Sequence, residues 1–159
     1  MKRFSIRRAR AAEMPECAAL YVSVGRSAFS WRGPQSFCAE DFLAFAAEED
    51  VFVAEAAGEI VGVLTLYQPE SFVHALYVSH AAQGQGIGRA LLALAASSTC
   101  GNLTLKCDLA NRRALQFYDR LGLERMGGGE SDGVAWVKLI ARRPIDADGI
   151  AIRAASPAP

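Results

Sequence analysis

The hexapeptide Gln83–Gly88, QGQGIG, is the stretch from which the fold can be read. A strand-like run, Ser71–Ser79 (SFVHALYVS), precedes it, and an apolar helical run through Arg89, Ala90, Leu91 and Leu92 to about Ser98 follows. Glycines at alternate positions let the backbone approach a bound group closely, and the first turn of the helix leaves N–H groups without intrahelical partners. That end carries partial positive charge, and Arg89 adds a full one, so the turn is suited to a phosphate.

Two familiar glycine motifs fit poorly. A Walker A loop needs Gly-Lys-Ser/Thr at its helical end, whereas Gly88 is followed by Arg89 and Ala90. A dinucleotide fingerprint G-x-G-x-x-G would use Gly84 and Gly86, but its third glycine falls on Arg89, too bulky for close helix-to-strand packing. Asp108 ends the next strand at about the 20-residue distance of a ribose-binding acid, the one point in favour of that rival.

The spacing that fits is Gln83-x-x-Gly86-x-Gly88 after an apolar strand, which resembles the pyrophosphate signature Q/R-x-x-G-x-G/A of the GCN5-related N-acetyltransferases (GNAT). Downstream, Asn111 heads ANRRALQFYDRLGL. There Asn111, Ala114, Phe117, Tyr118, Gly122 and Leu123 match, in order, that family's N-x-x-A-x-x-F/Y-Y-x-x-x-G-F. Asparagine is also a preferred helix N-cap, and Gly122 a typical helix stop. The two motifs span Phe72 to Leu123.

The resemblance implies an α/β fold, the GNAT acyl-CoA N-acyltransferase fold: an α+β mixed sheet with antiparallel N-terminal strands and a central parallel βαβ pair. It implies acetyl-CoA as cosubstrate, with the turn begun by Gln83 holding the pyrophosphate on the N–H groups of Gly84, Gln85, Gly86, Ile87, Gly88 and Arg89. Backbone groups of Leu76, Tyr77 and Val78 would bind the pantetheine and acetyl portions, the Val78 N–H polarising the thioester carbonyl. Asn111 would hydrogen-bond the pantetheine arm, beside Ala114 and Phe117 on the same helix. Tyr118 would be the general acid toward the coenzyme A sulfur; without the motif it would read as a core tyrosine.

His74 is the candidate base. Strand alternation puts it on the face of Phe72, Leu76 and Val78, and imidazole is the side-chain type that exchanges protons near neutral pH. A satisfied core histidine is the structural alternative, with water relays or deprotonation in solution as substitutes. The four cysteines, Cys17, Cys38, Cys100 and Cys107, show no CxxC or Cys/His ligand spacing and read as reduced core thiols, so neither a metal nor an acyl-enzyme is expected.

At 159 residues and 17.0 kDa the chain has the size of one domain with a single core. Lys+Arg 17 against Asp+Glu 17 leaves no net charge to draw nucleic acid or an anionic membrane. No run reaches the roughly 18 apolar residues of a membrane span. A cytoplasmic enzyme acting on a small-molecule or peptide amine is expected, with self-association as a homodimer left open. A non-catalytic acyl-CoA-binding sensor or regulatory module is the alternative.

Phe4–Arg10 reads as an edge strand, Glu13–Arg26 as an amphipathic helix, and Ser36 as the cap of a second helix reaching about Glu48. Phe29 and Trp31, in the loop Ser27–Pro34, are acceptor-pocket candidates, as are Glu40 and Asp41 on the second helix. Val51–Ala56 and Ile60–Tyr67 form a hairpin about Gly58, and Leu103–Leu109 is the strand after the glycine-turn helix. Strands Leu123–Met126 and Val134–Ile140 close the sheet around a loop, Gly127–Gly133. Residues 1–141 form the domain, and 142–159, with three prolines, a poorly packed tail.

Overall fold

The computed structural model describes residues 3–147. Its elements are β1 (Ser5–Arg8), α1 (Met14–Ala28), α2 (Ala39–Ala46), β2 (Asp50–Ala56), β3 (Glu59–Tyr67), β4 (Phe72–Val78), α3 (Ile87–Ser97), β5 (Thr104–Asp108), α4 (Arg112–Arg120), β6 (Glu124–Ser131) and β7 (Val134–Ile140). They build a seven-stranded sheet in the order β1-β2-β3-β4-β5-β7-β6. Neighbours are antiparallel except β4 and β5, which α3 links as a parallel crossover. Three strands precede β4 and the glycine turn, an order a dinucleotide-binding domain does not have.

Side-chain alternation along β3 divides the core into two layers. Leu64 and Leu66 face α3 and join Leu91, Leu92, Leu103 and Leu105, while Val63 faces α1 and α2 and joins Tyr21, Phe37 and Phe42. Gly62 sets how close α3 can come: a Cβ there would lie 3.0 Å from Ile87 Cγ2. Among the described residues no helix is long and apolar enough to cross a membrane.

Three expectations need correction. Ser36 does not cap α2; Pro34–Ser36 is a single 3-10 turn, and Phe37 and Cys38 are extended before the helix begins at Ala39. The cause is Phe37, 4% exposed, whose ring fills the space where Gly25 has no side chain. The glycines at 127–129 are not loop but part of β6, and the turn is only Asp132 and Gly133, both with positive φ. A two-residue Asp-Gly connection matches the twist of a hairpin, and Trp136 of β7 lies over Gly129, where a Cβ would come within 2.7 Å of its ring. Cys100 is exposed, although Cys17 and Cys107 are buried. Most of the expected tail lies outside the described residues; 142–147 carry no helix or strand.

Candidate active site

β4 and β5 pair only at Phe72↔Thr104 and Val73↔Leu105, and beyond that point they diverge. The Ser79 N–H donates to the Val61 carbonyl at 2.8 Å, so Ser79, Tyr77 and Ala75 turn their backbone groups toward β3. Antiparallel alternation then turns Leu76 and Val78 to the open side. The Val78 carbonyl accepts from Gln83 Nε2 at 3.1 Å, which ties the glycine turn to the strand end and leaves the Val78 N–H directed at the opening. Between the strands lies a cleft of about 390 Å³, walled by Leu76, Tyr77, Cys107, Asn111, Ala114 and Tyr118 on one side and by Phe29, Arg32, Phe45 and His74 toward α1 and α2.

Gly84 (φ 79°) and Gly86 (φ 83°) hold the left-handed conformation that admits glycine most readily, and Gly86 is the N-cap of α3. The first helical bond runs from the Ala90 N–H to the Gly86 carbonyl (3.0 Å), so the N–H groups of Ile87 and Gly88 stand ahead of the helical ladder. Gly88 is small for another reason: a Cβ would lie 3.0 Å from Phe117 Cζ, so α4 packs directly on the start of α3. Gln85 and Arg89 are half-buried beside the turn.

Asn111 caps α4, its Oδ1 accepting the Ala114 N–H at 3.2 Å. That cap fixes the start of the helix that carries Tyr118, two turns on, to the cleft. Burial, with Cys107 close by, raises the Tyr118 pKa well above that of an ordinary phenol, so the hydroxyl keeps its proton. Burial likewise pushes the Cys107 thiol up to about 11, which leaves little thiolate to act as a nucleophile.

Contrary to the expectation from strand alternation, His74 does not share a face with Leu76 and Val78. The β3–β4 register passes from Leu66↔Val73 to Thr65↔Ala75, so His74 is the extra residue of a β-bulge. The bulge leaves it with Phe72 and brings it to the face of Tyr77, while Leu76 and Val78 point to the opposite side. Its ring packs on Phe45 (centroids 4.1 Å apart), and Nδ1 lies 2.8 Å from Glu49 Oε1. Phe29 lines the cleft; Trp31 is not among the lining residues and donates Nε1–H to Asp108 at 2.9 Å. Asp41 and Glu40 are exposed on α2, outside the cleft wall.

The sequence did not point to Arg32, which forks onto Asp108 (Nε 2.7 Å, Nη2 2.9 Å), nor to Glu49. Burial works against the Asp108 carboxylate, but hydrogen bonds from Arg32 and Trp31 together outweigh it and hold its pKa below the usual carboxylate value. Asp108 is therefore the anchor that ties the α1–α2 loop across the cleft to β5, which accounts for it without a ribose.

The family model of the acetyltransferase (GNAT) domain matches residues 47–125. The chain is 35% identical over 97 residues to the 5-NmdU N-acetyltransferase of Pseudomonas phage PaMx11, covering 55% of this chain and 67% of that protein. Apo-form YjaB from Escherichia coli superposes with a TM-score of 0.70 at 24% identity, over 86% of this chain and 96% of that one. The PaiA N-acetyltransferase of Thermoplasma acidophilum, solved with coenzyme A, gives 0.71 at 12% identity, over 87% and 99%. Diverging central strands, a glycine turn capping α3 and the family match over both thus agree: the chain belongs to the GNAT superfamily of acetyltransferases.

Proposed function

We propose that the protein transfers an acetyl group from acetyl-CoA directly to a primary amine of a small molecule or peptide. The observation that carries this is the divergence of β4 from β5, which leaves backbone groups of Leu76 and Val78 facing an opening that Tyr118 also lines. Those groups fit an extended amide-bearing arm, and the turn Gly84–Arg89 fits its pyrophosphate. Acetyl-CoA would supply the activated thioester.

The chain's own residues do the rest. The Val78 N–H would polarise the thioester carbonyl and the backbone of Leu76 would hold the pantetheine arm, in a site where preorganised donors act at little reorganisation cost. Asn111, its Oδ1 committed to the cap, would offer Nδ2 to the arm. His74 would take the proton from the acceptor nitrogen, and Tyr118 would return one to the departing sulfur. The aromatic wall of Phe29, Phe45 and Tyr77 would exclude water and hold the acceptor.

Catalysis is favoured over an acyl-CoA sensor because His74 and Tyr118 line one cleft. The test is coenzyme A release with a panel of amines, including the 5-NmdU named for the phage relative. Turnover on at least one amine, lost in Tyr118→Phe, supports the proposal. Tight acetyl-CoA binding without turnover on any amine would contradict it and favour the sensor.

A further inference from the structure

Beneath α1 and α2 the layer is built mainly of apolar and aromatic side chains, and the bulge in β4 brings a carboxylate against it. Glu49, the last residue before β2, is drawn under that layer until its side chain is only 6% exposed. Oε1 meets His74 Nδ1 at 2.8 Å, while Oε2 is buried and has no hydrogen-bond partner among the described residues. Thr65, whose register partner Ala75 adjoins the bulge, is fully buried with its hydroxyl likewise unpartnered. Burying a carboxylate with one oxygen unsatisfied is costly, and an apolar residue would fill the same place without that cost.

Glu49 and Phe45 together fix the imidazole: the ring of Phe45 lies against its face, and the carboxylate takes its edge. A carboxylate at Nδ1 selects the tautomer with the proton on Nδ1, so the lone pair is on Nε2. The bulge turns the ring out of the strand's regular alternation and toward the cleft wall.

We propose that Glu49 is a positioning residue for acetyl transfer: it accepts the His74 Nδ1–H and thereby presents Nε2 as the proton acceptor for the amine. This rests on His74 being the base. The acceptor N–H bond breaks as the proton goes to Nε2, and the Nδ1–H stays on the ring, still donated to Glu49.

The chain has only two histidines, His74 and His80, so ring-nitrogen NMR can resolve both. In the unmodified protein, with the rings neutral, His74 should show a protonated Nδ1 and a bare Nε2. A His74 ring protonated at Nε2 instead overturns the proposal with no substitution needed. Glu49→Leu should release the tautomer toward Nε2–H and lower kcat by about 10- to 100-fold, the range seen when the hydrogen-bond partner of a metal-bound histidine is lost. KM for acetyl-CoA should stay within about twofold, as expected when a transition-state interaction is removed.

An unchanged tautomer in Glu49→Leu, or a loss carried by KM alone, contradicts the assignment. His74→Ala separates the two levels. If it abolishes turnover while Glu49→Leu does not slow it, Glu49 has no such role and the base assignment stands. If His74→Ala turns over normally, both fall.

Discussion

Beneath α3 the sheet is packed with leucines, Leu64, Leu66, Leu91, Leu92, Leu103 and Leu105, whereas beneath α1 and α2 it is packed with rings, Tyr21, Phe37 and Phe42, flanked by Phe29, Phe45 and Tyr77. The two layers present different chemistry to the cleft. On the leucine side the groups are mostly backbone, the glycine turn and the open edge of β4, joined by the side chains of Asn111 and Tyr118 from α4. On the ring side they are side chains, Glu49–His74 and Arg32–Asp108, joined across long stretches of chain. A carrier common to many reactions can be held by backbone donors, while an acceptor particular to one reaction needs side chains.

If both layers are true core, truncation should be severe in each. Phe42→Ala should destabilise the fold by about 3–5 kcal/mol and Leu91→Ala by about 2–5 kcal/mol in denaturant unfolding. A Phe42→Ala loss below about 1 kcal/mol would make the ring layer a lid instead. Tyr118→Phe should divide function from stability: kcat falls about 100-fold, worth about 2.7 kcal/mol of barrier, while the unfolding midpoint barely moves. An equal loss of stability would return Tyr118 to the status of a core ring.

Gly86→Ala probes the backbone side, forcing a Cβ into a left-handed position at a cost of about 1–2 kcal/mol. KM for acetyl-CoA should rise with it, and an unchanged KM would remove the turn from cofactor binding. Asp108→Asn probes the ring side and has the smallest effect, about 1 kcal/mol for a partly exposed ion pair. Because the folded pKa of Asp108 is lowered, its contribution is complete above the unfolded value of about 3.9 and lost as pH falls through the folded one. Wild type and variant should therefore converge in acid. A gap that persists in acid would mean the carboxylate charge is not what the loop uses.

The same division explains what could be read in advance. Asn111 and the glycine turn are local devices, recognised by spacing within a few residues, and their geometry follows from caps and φ angles. The succession of strands and helices along the chain was equally legible, because alternation and turn residues are short-range signals. His74 was wrongly grouped with Leu76 and Val78 because a bulge leaves no mark in an alternating pattern. The glycines of β6 read as loop because what makes them strand, the ring of Trp136, lies in the partner strand. Glu49 falls between the expected second helix and the strand at Val51, where no local signal marks it, and only the fold brings His74 to it.

The central claim is that the opening between β4 and β5 holds the acyl carrier against backbone groups, and amide chemical-shift mapping on adding coenzyme A tests it directly. With coenzyme A in that opening, the largest shifts fall at the amides of Leu76, Val78 and Gly84 to Arg89 and saturate at one equivalent. No saturable shifts, or shifts confined to the groove beside Arg142 and Arg143, would contradict it.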